Sequence, residues 1–406
     1  MNYETFTLDN GIRLIHHRTT SYVAHMALLM NTGSRDEEDR EHGMAHLVEH
    51  LLFKGTEKRK AFHIISRLED VGGDINAYTT KEETCVYTSF LKGDYARAAE
   101  LIQDVLFHSV FPVKELKKEK DIIVDEINSY LDDPAELIFD EFEEHLFDGH
   151  PIGRNILGTI ETLGKIERPD VLNFLNDNYA TDEMVICSVG NISFTKWLKI
   201  ISRYFGDIPP KSRNRQRTIL NHFTPGNMTK EKNTFQVHAL TGTRAYPVRD
   251  ERRIPLHLLN NILGGPGLNS RLNMNLRERN GYSYQTESHY TPYSDTGVLN
   301  VYFSCDKSKL NQCRDIISGE FRKLRNQRLG TLQLLKAKKQ LMGQVAISSE
   351  NHESLMLAMA KSYLIFNKFD SLEETKKKID HITADQILGI ANDILDENKL
   401  FNLTYI

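Results

Sequence analysis

The sequence predicts an α+β protein of two homologous domains, each a mainly antiparallel sheet with helices packed against it. Three observations carry that prediction. The chain has 406 residues, more than one ordinary core accommodates, so two or more domains are expected. Alternating strand patterns mix with longer helices, without the regular strand–helix alternation of a parallel sheet. Two distant blocks also recur at nearly the same spacing. "CVYTSFLKGDYARAAELIQDVL" (85–106) resembles "NVYFSCDKSKLNQCRDIISGEF" (300–321), and Tyr87 and Leu101 correspond to Tyr302 and Ile316, a shift of 215. "IERPDVLNFLNDNYATDEMVICSVG" (166–190) matches "ITADQILGIANDILDENKLFNLTYI" (382–406) at a shift of 216, with Val171, Leu172 and Phe174 on Ile387, Leu388 and Ile390. So long a period points to duplicated domains rather than a solenoid.

The elements follow in chain order. "MNYETFTLDNGIRLIHH" reads as a strand, an Asp-Asn-Gly turn and a second strand. "GMAHLVEHLLFKG" (43–55) reads as a helix stopped at Gly55. At about 100° per residue, His46, Glu49 and His50 fall within an arc of about 100°. Met44, Leu47, Val48, Leu51 and Leu52 fill the opposite side. Histidines at i and i+4 can grip one metal ion with the intervening glutamate beside it as a base. A zinc site needs at least one further protein ligand.

That ligand is sought in "KELKKEKDIIVDEINSYLDDP" (114–134), a helix bounded by prolines. Leu116, Ile122, Ile123, Ile127 and Tyr130 make one apolar face, and Glu119 and Glu126 fall inside its arc while the lysines fall outside. A carboxylate on a core-facing stripe costs several kcal/mol unless it is paired or bound to metal. A buried salt bridge is the plain alternative, and a metal ion bound by the two histidines would offset the same cost.

The domain join is expected near "GDIPPKSRNRQRT", where two prolines and several basic residues break the pattern. The domains are then 1–210, carrying the candidate metal residues, and 220–406. When Gly55 is set on Gly264, the His-Glu-His segment falls on or beside "PLHLLNN", which has His257 but not the three residues together. The shared fold therefore does not demand them. "GGPGLNSRL" (264–272) lacks the ending of a P-loop and the spacing of G-x-G-x-x-G, and reads as a connector.

Composition narrows the classes. A formal net charge of −5 gives no reason to expect nucleic acid. No apolar run approaches the ~18 residues of a membrane span, and the N-terminus lacks a basic start followed by an apolar block. Cys85, Cys187, Cys305 and Cys313 show no C-x-x-C spacing, and reduced thiols suit a cytoplasmic protein.

His46-Leu-Val-Glu49-His50 followed by Glu126 resembles the inverted H-x-x-E-H motif of the pitrilysin-type zinc metallopeptidases, the family of mitochondrial processing peptidase and insulin-degrading enzyme. The resemblance runs along the whole chain. "HPIGRNILG" (150–158) is similar to the family's H-P-x-G-x-x-I-x-G element, and "GGDINAYTTKEETCVY" (72–87) to its substrate-binding edge strand. "LRERNGYSYQTES" (276–288) resembles the second-half segment with an Arg and a Tyr seven residues apart, here Arg277 and Tyr284.

The resemblance implies that His46, His50 and Glu126 bind one Zn2+ per chain, that Glu49 is the catalytic base, and that Glu119 orients a ligand from behind. It implies that Asn76 and Ala77 pair with peptide backbone, and that Arg277 and Tyr284 stabilise the oxyanion. The activity implied is a zinc metalloendopeptidase acting on unfolded peptides or small protein fragments. Family members enclose their substrates between four such domains. This chain supplies two, so a homodimer is the simplest completion. Two rival readings are a non-catalytic assembly or scaffold subunit of the same family, and a catalytic subunit that needs a different partner chain.

Overall fold

The computed structural model describes residues 2–220 and 222–406. In chain order the strands are β1 (Glu4–Thr7), β2 (Arg13–Arg18), β3 (Val23–Met30), β4 (Asp74–Thr79), β5 (Thr84–Leu91) and β6 (Met184–Gly190). There follow β7 (Gly226–Lys230), β8 (Val237–Ala245), β9 (Ser283–Pro292), β10 (Gly297–Cys305) and β11 (Phe401–Tyr405). The first sheet has the order β1-β2-β6-β3-β5-β4 and the second β7-β11-β8-β10-β9. In the first, β2 runs parallel to β6 and every other neighbouring pair is antiparallel. In the second, β7 runs parallel to β11 and the rest are antiparallel. Without β1 the two sheets have one topology, the structural counterpart of the repeat at shifts of 215 and 216.

The chain forms two compact units, and neither is a continuous half. One comprises residues 1–128, 154–217 and 346–371; the other comprises 129–153, 218–345 and 372–406. The chain therefore crosses over more than once: one crossing, at 217/218, lies within the expected join at 206–218, and the others come from the exchange of helices. Each unit's sheet explains the exchange. Every residue of β6 and of β10 is buried, so both faces of each sheet need apolar cover. In the first unit one face is covered by helices Met44–Leu52, Tyr95–Phe107, Val113–Leu131 and Phe194–Phe205. The other face, with Ile15, Leu29, Val185 and Val189, is covered by helix His352–Phe366 through Leu355, Met356, Met359 and Tyr363. In the second unit the corresponding cover on Leu240, Tyr302, Leu403 and Tyr405 is helix Pro134–Leu146, through Ile138, Phe142 and Leu146. Each half of the sequence thus donates one helix to the other half's sheet. Anchors at i, i+4 spacing, such as Trp197, Ile201 and Phe205 in helix Phe194–Phe205, each contribute about 1.5–3 kcal/mol through burial.

The proline- and arginine-rich join is a clasp within the first unit. Arg217 holds Asp36 through two hydrogen bonds of 2.8 and 2.9 Å, and Arg213 pairs with the same carboxylate. Arg215 joins Glu41 to Asp177, the latter at 2.8 Å. The alternating arginines neutralise buried acids in the segment that leads into the helix Met44–Leu52.

Among the described residues, no helix is long and apolar enough to cross a membrane. The four cysteines are free and buried.

Candidate metal centre

Helix Met44–Leu52 buries Met44, Ala45, Leu47, Val48, Leu51 and Leu52 and turns His46, Glu49 and His50 away from that core. Its N-terminus is built by two contacts. Glu37 is buried and accepts the Gly43 and Ala45 amide hydrogens at 3.0 and 2.8 Å, so a carboxylate from the preceding loop caps the helix. Burial pushes its carboxyl well above the usual carboxylate range, against the pull of those two amides.

Gly43 enters the helix at φ +96° and meets Gly158 at φ +79°. A Cβ on Gly158 would lie 2.5 Å from the His42 carbonyl oxygen and 2.7 Å from the Gly43 Cα. Asn155 shapes the approach by accepting the Gly158 amide hydrogen at 2.7 Å. This gives the final glycine of "HPIGRNILG" a physical reason: only backbone fits against the start of the histidine helix. The first part of that element belongs to the second unit, where His150 Nε2 lies 3.1 Å from the Thr218 carbonyl oxygen.

Helix Val113–Leu131 supplies the carboxylates. Its buried residues are Leu116, Glu119, Ile123 and Ile127, which corrects the apolar face read from the sequence. Ile122 is 48% exposed and the Glu126 side chain 45% exposed. The stripe is narrower than the arc suggested, and Glu126 stands at its solvent margin. Glu119 therefore carries the burial cost that the sequence argument assigned to both, and Lys54 offsets it at 2.9 Å.

The two helices bring three donors together. Oε2 of Glu126 is 3.8 Å from Nε2 of His46 and 3.8 Å from Nε2 of His50. One ligand atom from each residue lies within 4.8 Å of the other two. At 3.8 Å these atoms are too far apart to hydrogen-bond. They are near the separation of roughly 3.3–3.5 Å that zinc–donor bonds of ~2.0–2.2 Å set at tetrahedral angles. Burial, with His50 alongside, holds the His46 imidazole down to about 4, so one of its ring nitrogens presents a lone pair at neutral pH. His46 Nδ1 is buried with no hydrogen-bond partner. Two imidazoles and a carboxylate facing one point fit a divalent zinc ion. Among the described residues, no second group of His, Cys, Asp or Glu converges in this way.

Glu49 lies beside this cluster with Thr79, the last residue of β4, as its neighbour. Burial lifts its carboxyl above the ordinary range, and the Thr79 hydroxyl and His50 temper that rise. Glu119 sits behind His50, with Oε2 3.2 Å from Nδ1. Asn76 and Ala77 are on β4, paired to Tyr87 and Val86 of β5, and β4 is the open edge of the first sheet. Arg277 and Tyr284 lie in the second unit. The guanidinium of Arg277, on the π-helical turn Asn273–Glu278, stacks 4.7 Å from the centre of the Tyr284 ring, and Tyr284 is 78% exposed at the start of edge strand β9.

Sequence reasoning missed Glu37, Lys54 and the Gly43–Gly158 contact. Glu37 stands in "DEEDRE", an acidic run that reads as solvated surface, and nothing local marks one of its carboxylates as a cap. The approach of two glycines 115 positions apart leaves no pattern in either segment.

Comparison with known proteins agrees along the chain. Residues 13–160 match the family model described as Insulinase (Peptidase family M16), and residues 165–341 match that of the Peptidase M16 inactive domain. A Bacillus subtilis (strain 168) protein described as "Uncharacterized zinc protease YmxG" is 32% identical over 397 residues, 97% of this chain and 96% of its own length. A Mycobacterium leprae (strain TN) protein described as "Uncharacterized zinc protease ML0855" is 31% identical over 396 residues, covering 96% of this chain and 89% of its own length. The crystal structure of a protease from Helicobacter pylori shares the fold with a TM-score of 0.92 at 18% identity, over 100% of this chain and 99% of that one. A Pseudomonas fluorescens structure described as a peptidase M16 inactive domain also gives 0.92, at 19% identity, over 100% of this chain and 98% of that one. The chain belongs to peptidase family M16, the insulinase or pitrilysin-type family.

Proposed function

We propose that the chain is a zinc-dependent endopeptidase that cleaves unfolded peptides or small protein fragments. The observation that carries the reading is the convergence of His46, His50 and Glu126 at 3.8 Å, with Glu49 alongside. His46, His50 and Glu126 would hold one zinc ion. Zinc bound there supplies Lewis-acid polarisation of a peptide carbonyl and lowers the pKa of water towards ~7. Glu49 takes a proton from the water that adds to the peptide carbonyl carbon and returns it to the amide nitrogen as the C–N bond breaks. Asn76 and Ala77 on the open edge of β4 hold the peptide extended by main-chain hydrogen bonds, so sequence preference is loose. Arg277 and Tyr284, with six donor hydrogens between them, stabilise the developing oxyanion. The four buried free thiols suit work in a reducing cytoplasm.

The active form is a homodimer, in which a second copy completes the enclosure around the substrate. The non-catalytic reading finds no support in the donor set, which is intact. Metal analysis of purified protein should give about one zinc per chain, and stripping it with a chelator should abolish peptide cleavage until zinc is restored. Cleavage at an undiminished rate by verified metal-free protein would contradict the proposal. The dimer is tested by mixing a Glu49→Gln protein with an Arg277→Ala protein under confirmed subunit exchange. Activity should return, because one mixed site recovers both groups; if none returns, each site is completed within one chain.

A further inference from the structure

Glu119 is the most deeply buried acid beside the histidines, its side chain 4% exposed, and both of its oxygens are engaged. Oε2 stands 3.2 Å from Nδ1 of His50, and Oε1 stands 2.9 Å from Nζ of Lys54. Lys54 follows the helix Met44–Leu52 by two residues. Two groups from the end of one helix therefore grip a single carboxylate of another.

The two contacts do different work. A carboxylate buried this far keeps its charge and its place only when paired. His50 offers it one ring N–H donor, whereas Lys54 offers an ammonium group. With Oε1 tethered, the carboxylate cannot turn, and Oε2 stays in line with the His50 ring. An ionised carboxylate only accepts hydrogen bonds, so the proton of His50 must sit on Nδ1 and its Nε2 lone pair is left free towards Glu126. His46 has no such partner on its Nδ1, so the tautomer of the pair is set on the His50 side.

We propose that Lys54 is a positioning residue for the metal centre: by tethering Glu119 it fixes the Nδ1–H tautomer and ring orientation of His50. This rests on the zinc reading above for its consequence, though the tethering involves only the chain's own side chains. The partners of a metal-bound imidazole typically govern affinity by about 10–100-fold, which sets the size of the effect.

The test measures zinc affinity by competition with a chelator of known strength, in the wild-type protein, Lys54→Met, Lys54→Arg, Glu119→Gln and the Lys54→Met/Glu119→Gln double variant. Lys54→Met should weaken zinc about 10–100-fold, Lys54→Arg should restore most of the loss, and Lys54→Met should add little once Glu119 is already Gln. Nitrogen-15 NMR of labelled histidines in the metal-free protein should show His50 as the Nδ1–H tautomer in the wild type and a mixture in Lys54→Met. Wild-type affinity in Lys54→Met, or an equal loss on both backgrounds, would overturn the proposal. If the wild-type protein took up no zinc, the zinc reading would fail, and the tautomer measurement alone would still decide the role of Lys54.

Discussion

Replacing Glu49 with Gln should leave one zinc per chain in place and lower peptide turnover about 10²–10⁴-fold, the usual contribution of a positioned acid–base group. The substitution preserves size and removes only the ability to accept and return a proton. Glu49 shares a helix face with both histidines and is itself outside the set of three converging donors. Its neighbours, the Thr79 hydroxyl and His50, can both accommodate an amide, so neither fold nor metal content should suffer. The loss should therefore fall on the chemical step, lowering kcat and kcat/KM together. Cleavage at the wild-type rate with zinc still bound would remove Glu49 from the role of base. Loss of zinc would instead show that its part is structural.

The second large effect is expected far from any reacting atom. Gly158→Ala should destabilise the first unit by about 2–5 kcal/mol, combining roughly 1–2 for a left-handed backbone with a side chain and 1–3 for overpacking. The new methyl would meet the His42 carbonyl oxygen at 2.5 Å and the Gly43 Cα at 2.7 Å, both backbone atoms with no rotamer to yield. Relief requires the start of the histidine helix to move, which shifts His46 one turn on. The variant should lower the urea midpoint of the first unit and weaken zinc binding together. Gly164→Ala is the control, because a Cβ there meets nothing within 4 Å. A Gly158→Ala protein as stable as the control would mean that the chain separates the two segments without cost.

Much of the fold was legible because its evidence is periodic. The strand and helix patterns at 85–106 and 300–321 repeat the same order of apolar positions, and the two sheets have the matching order β2-β6-β3-β5-β4 and β7-β11-β8-β10-β9. The helix exchange was not legible. Helices Pro134–Leu146 and His352–Phe366 carry ordinary apolar residues, and nothing in an apolar residue names the sheet it will cover. One crossing, at 217/218, lies at the end of the segment 206–218, because Arg213, Arg215 and Arg217 bind acids of the first unit and carry the connector with it past prolines 209 and 210. Charge on a connector reads as solvation until its partners are known.

The sequence by itself determined the local chemistry: a helix with two imidazoles and a carboxylate on one face, and a second helix with two glutamates seven positions apart. Helical spacing is short-range geometry, and it holds wherever the helix goes. Helical spacing leaves the two glutamates equivalent; the family resemblance singled out Glu126, and the tertiary structure supplies the physical reason one glutamate faces the histidine pair and the other lies behind it. That choice depends on how Val113–Leu131 is rotated against Met44–Leu52, and the rotation is set by the packing of Leu116, Ile123 and Ile127 into a core built from distant parts of the chain. Both acids lie at the same helical phase to within a fraction of a turn. Burial separates them: Glu119 is enclosed, with Lys54 at 2.9 Å, and Glu126 stays at the solvent-exposed margin, 3.8 Å from both histidines.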